Sequence, residues 1–165
     1  MITNLHQLYI NQIKDLHSAE TQIIEALPKM AARANSDDLR ESFNKHLNET
    51  REQLTRINKI LDSHGIHPGT DVCEATQGLL REGEKLMKEM IGDAVDAGLI
   101  AAAQRVEHYE IAAYGTARAY AKKLHYNDDV DLLSTTLDEE SDANEHLTKI
   151  ATGGFFSDGV NDEAA

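Results

Sequence analysis

The stretch "VEHYEIAAYG" carries two glutamates, Glu107 and Glu110, among apolar neighbours. On a helix, residues three apart share a face. Burying an ionised carboxylate there without a partner is expensive. Three other apolar segments contain the same anomaly. Glu20 lies between Leu16 and Ile23, Glu49 is flanked by His46 and Gln53, and Glu140 falls between Leu137 and Asn144. Five carboxylates converging in a low-dielectric interior cannot all stay ionised unpaired. Two divalent metal ions, bridged by some of the carboxylates, are the simplest neutraliser. His46, three residues before Glu49, is either a nitrogen ligand to such a site or a hydrogen-bonding neighbour of one. The competing reading puts each glutamate in a surface salt bridge with Arg51, Arg56, Arg105 or Arg118.

The elements that must carry these residues read as helices throughout. Apolar residues at helical spacing mark segments from about Thr3 to Arg33, Asp37 to His64, Ala94 to Leu124 and Asp128 to Ala151. Pro28 is expected to bend or interrupt the last turns of the first. Ser36 fits an N-cap, Gly65 a helix stop, and Asp93 a second N-cap. A shorter helix is expected from Asp71, with Glu74 completing a capping-box-like pair. Together these describe an antiparallel four-helix bundle with a short extra helix in the long crossover, spanning residues 1–152, followed by an acidic, frayed tail, 153–165.

The two hairpins bring the carboxylates to matched heights. The first turn centres near residue 35, with Glu20 about 15 residues before it and Glu49 about 14 after. The second centres near residue 126, with Glu110 about 16 residues before it and Glu140 about 14 after. The matched heights favour one shared site over five separate surface pairs. Tyr109 and Tyr114 read as packing residues, with a redox-active or hydrogen-bonding place beside a metal as the alternative; His17 reads as a core-edge histidine, His108 as outward-facing and Cys73 as a small core residue. No role is assigned to His64, His67, His125 or His146.

The chain has 165 residues and a formal net charge of −13. A charge of that sign disfavours non-specific nucleic-acid binding, which needs Lys and Arg to displace phosphate counterions. One cysteine excludes an internal disulfide and suits a reducing compartment. No basic-then-apolar leader and no apolar run of about 18 residues is present, so neither a signal peptide nor a membrane span is expected. The expected location is cytoplasmic.

The segments "DLHSAETQIIEALPKMA", "HLNET", "LIAAAQRVEHYEIAAYGT" and "TLDEE" resemble the YciE/YciF-type family of ferritin-like bacterial stress proteins. The resemblance covers about residues 3 to 151. It implies an all-α ferritin-like bundle, a stress-related role, and a carboxylate site holding two iron or manganese ions at Glu20, Glu49, Glu107, Glu110 and Glu140. One departure stands out. Ferritin-like di-iron proteins carry Glu-x-x-His on two helices, whereas this chain offers the reversed His46-x-x-Glu49 and His17-x-x-Glu20. Three functions follow as alternatives: a di-metal oxidoreductase acting on peroxide or dioxygen, a non-catalytic structural or partner-binding bundle with a stabilising or vestigial metal site, and iron storage. A shell-forming store is disfavoured because little chain follows the fourth long helix. A homodimer is expected.

Overall fold

The computed structural model describes residues 1–153 and 158–165. Helix α1 spans Leu5–Arg33, α2 Asp37–Ser63, α3 Glu74–Glu89, α4 Ala94–Lys123, α5 Asn127–Thr152 and α6 Val160–Glu163. Among the described residues there is no strand. The hairpins α1/α2 and α4/α5 form the bundle, with α1 against α4 and α2 against α5. Helix α3 lies outside this square, over the seam between α1 and α4. This is the expected all-α antiparallel bundle with a long crossover.

Local chemistry sets most boundaries. The Asn4 and Ser36 side chains accept the Gln7 and Leu39 amides at 2.9 and 3.3 Å, capping α1 and α2. Gly65, at φ 66°, ends α2, and the Ile66 amide returns to the Leu61 carbonyl at 2.9 Å. Two expectations need correction. Pro28 does not interrupt α1, because a proline nitrogen deprives only the Ile24 carbonyl of a donor, and the Ala34 amide still reaches Met30 at 3.1 Å. Helix α3 begins at Glu74, not Asp71, and has no side-chain cap. Cys73 is instead tied to α1, its amide donating to Ser18 Oγ at 2.9 Å and its carbonyl accepting from Gln22 at 3.2 Å. Asp93 stands at the N-cap position of α4 as expected, without a capping hydrogen bond.

The core has two apolar halves. One gathers Ile23, Leu27, Leu39, Phe43, Leu99 and Val106; the other gathers Tyr9, Ile13, Leu16, Ile57, Tyr114 and Leu133. A polar layer separates them. In the C-terminal segment, expected to be frayed, Val160 is buried in the first half alongside Ala151; residues 154–157 lie outside the described residues.

Candidate metal centre

Between the two apolar halves each long helix turns a polar residue inward: Glu20 from α1, His46 and Gln53 from α2, Glu107 and Glu110 from α4, and Glu140 from α5. All six side chains are buried. Helical spacing explains the positions. Glu20 continues the Tyr9–Ile13–Leu16 stripe, and His46, Thr50, Gln53 and Ile57 form one stripe of α2.

His46, Glu107, Glu110 and Glu140 each present a donor atom within 4.8 Å of the others. Among the described residues this is the only such group of histidine, cysteine and carboxylate side chains. His46 Nε2 stands 3.4 Å from Glu107 and 3.9 Å from Glu140, and its Nδ1 is 3.8 Å from Glu49. These are charge contacts at the limit of reach, and neither ring nitrogen has a hydrogen-bond partner. Glu20 Oε2, Gln53 Oε1, Glu107 Oε2, Glu110 Oε1 and Glu140 Oε2 are likewise buried without one. Buried polar atoms are almost always satisfied in folded proteins. Seven orphans converging in one layer, all lone-pair donors or imidazole nitrogens, have the chemistry of a coordination sphere.

Two side chains hold the carboxylates in place. The Tyr114 hydroxyl donates to Glu20 Oε1, and the Gln53 amide donates to Glu140 Oε1. The Gln53 amide also reaches Glu139 at 3.1 Å, and Glu139 is gripped by both arms of Arg56, at 2.6 and 2.7 Å. Arg56 donates further to Thr136 at 3.1 Å. A positive charge near the surface thus connects through Glu139 and Gln53 to the buried Glu140.

The electrostatics follow from crowding. Burial pushes the Glu20 carboxyl up to about 8, against the Tyr114 hydrogen bond and the His46 charge, with Glu107 adding repulsion. Burial and neighbouring carboxylates lift Glu110 and Glu140 well above the ordinary carboxylate range. For His46 burial acts downward, but Glu107, Glu49 and Glu20 together raise it. Proximity to His46 and Lys45 lowers Glu49. In the absence of a cation the layer therefore holds protons, and a divalent ion would compete for those sites.

Of the six residues expected at the site, the structure groups four: His46, Glu107, Glu110 and Glu140. Glu20 lies beside them, close enough to repel Glu107 and Glu110, with one oxygen committed to Tyr114. Glu49 is not drawn in. Its side chain is 27% exposed and pairs with Lys45 at 2.9 Å, because it sits at the edge of the stripe that His46 and Gln53 centre. Gln53, Arg56 and Glu139 were not expected as site residues, and Tyr114 takes the alternative place open to it, a hydrogen-bonding neighbour of the site. The available signals were spacing: Gln53 is seven residues past His46, and Tyr114 is four past Glu110. His64, assigned no role, shares Asp129 with the Tyr9 hydroxyl, at 2.7 and 2.8 Å; burial first, and then this Asp129 contact, raise the Tyr9 phenol.

Comparison with known proteins matches residues 4–165 to a family described as a domain of unknown function, DUF892. Protein YciF of Escherichia coli K12 is 38% identical over 149 residues, covering 89% of this chain and 90% of that protein. Among solved structures, YcfI from Rhodopseudomonas palustris, provisionally a structural protein, superposes with a TM-score of 0.88 at 38% identity, covering 91% of this chain and 96% of that one. The E. coli stress protein YciF gives 0.86 at 36% identity, over 90% and 94% of the two chains. A Xanthomonas campestris protein at 18% identity and TM-score 0.71, over 88% and 89%, shares the fold.

Proposed function

The chain belongs to the DUF892 family, of YciF type, and on that premise we propose that its buried layer binds two divalent transition-metal ions, iron or manganese, in a stress response. His46, Glu107, Glu110 and Glu140 would hold the first ion. Glu20 and Glu49 would complete the second subsite, Glu20 by its free Oε2 and Glu49 by turning inward from Lys45. The observation that carries this is the set of four donor atoms within 4.8 Å of one another, surrounded by orphaned buried oxygens. Bound iron or manganese would supply redox chemistry toward peroxide or dioxygen. The protein's own part is to keep bulk water out with two apolar halves, to fix Glu20 and Glu140 through Tyr114 and Gln53, and to return protons displaced by the ions. A cytoplasmic homodimer is the proposed form.

The test is elemental analysis after reconstitution with iron or manganese, for wild type and Glu107→Gln, together with hydrogen peroxide consumption by each. Up to two ions per chain, lost in the variant with peroxide consumption, would support a di-metal oxidoreductase. Metal binding with no peroxide or dioxygen turnover would favour a second reading, a structural bundle with a stabilising site. The likeness to YcfI, named as a structural protein, speaks for that second reading. No transition metal in either protein would sink both.

A further inference from the structure

Two small cavities lie in line between the outer face of the bundle and the carboxylate layer. The outer one, ≈ 20 Å³, sits beneath α3, with Leu79, Met87 and Leu99 among its walls. The inner one, ≈ 10 Å³, is walled by Ile23, Leu27 and Ala103 and ends on His46 and Glu107. Ala26, Met30, Leu80 and Val106 line both, so the two form one line of approach. Every other lining residue of the inner cavity is apolar. The outer cavity meets charge only at its rim, where Lys29 and Glu84 neutralise each other at 3.1 Å.

Helix α3 makes the roof. It is pinned to α1 by Lys29–Glu84 and to α4 by Arg105–Glu82, both at 3.1 Å. Gly83 brings its backbone close to α4, where an added Cβ would stand 3.4 Å from the Ala102 Cβ. Each cavity has space for about one water-sized sphere, and a water there would find few of the polar partners it needs, so the space suits a small apolar guest. An ion moving through would shed its hydration, and hydrogen peroxide its hydrogen bonds to water, with no polar group to replace them until His46.

We propose that the passage beneath α3, between Ala26, Leu80 and Val106, admits small uncharged apolar molecules to the His46–Glu107 edge of the site, and so selects dioxygen over anions and peroxide. The proposal rests on the metal-centre reading for its chemistry, but the passage itself is testable without metal. Crystals of the metal-free protein under xenon pressure should show xenon between Ala26, Leu80 and Val106. Ala26→Phe and, independently, Leu80→Trp fill that space and should abolish the xenon site while leaving metal content unchanged. In iron-loaded protein each should slow oxidation of Fe(II) by dioxygen about tenfold, a barrier increase of about 1.4 kcal/mol, with oxidation by hydrogen peroxide changed less. Absence of xenon from this position in the wild type would overturn the passage whatever the metal content. Loss of xenon with unchanged dioxygen oxidation in a variant that folds and binds iron would overturn its role. A protein that takes up xenon there but binds no metal would fail the metal-centre reading and with it the selection of dioxygen.

Discussion

The metal-free protein should lose stability as pH rises through neutrality, and Glu20 should carry much of that loss. Its carboxyl is fully buried and pushed from 4.5 to about 8. A carboxyl with a higher pKa folded than unfolded contributes stability that is complete below about pH 4.5 and is lost as pH climbs toward about 8. At about 1.4 kcal/mol per pH unit, the loss between pH 4.5 and about pH 7 is about 3 kcal/mol. Glu20→Gln removes the titration and keeps a carbonyl oxygen for the Tyr114 hydroxyl. With chelator at about pH 7, the variant should therefore be the more stable by up to about 3 kcal/mol, which is on the order of 6–12 °C in Tm for a domain of this size. At about pH 4.5 the advantage should vanish. His46, also raised, adds a loss of the same sign to both proteins. Bound metal reverses the trend, because ions displace the protons, so its stabilisation grows with pH and Glu20→Gln forfeits part of it. Thermal melts of both proteins from about pH 4.5 to about pH 8, with chelator and with manganese, decide the matter. Parallel curves in chelator would refute a protonated, buried Glu20.

Glu110→Gln should lower metal occupancy, measured by elemental analysis, without unfolding the chain, since the amide fits the same buried space. Arg56→Ala should destabilise the fold by about 1–3 kcal/mol in urea unfolding, because it leaves the half-buried Glu139 without its guanidinium and loosens Gln53. Asp96→Ala should cost a similar amount, about 1–3 kcal/mol, since Asp96 accepts the Asn35 and Ser36 amides at 2.8 and 2.7 Å and fixes the α1–α2 turn against α4. Light scattering should return the mass of a homodimer, and a mass near twenty chains would refute that assembly.

The sequence by itself determined the helices and the height of the polar layer. Apolar spacing of three and four residues is a local property, and the turn positions fix how far along each helix Glu20, Glu107, Glu110 and Glu140 lie, so those four were legible as a set. The sequence left open which flank of each stripe faces inward. Leu54 and Gln53 fit the α2 stripe equally well by spacing, yet the fold buries Gln53 fully and leaves Leu54 half-buried. Ile13 over Gln12 on α1 and Ala103 over Ala102 on α4 are the same one-residue decision. A rotation of one residue is about 100° around a helix, and only contact with the neighbouring helices settles it. That rotation sends Glu49 to Lys45 at the surface and brings Gln53 to Glu140. The placement of α3 over the α1–α4 seam was equally beyond the sequence, because a short amphipathic helix on a long crossover can cover any apolar seam within its reach. Tertiary packing chose the one whose cavities lead to His46 and Glu107.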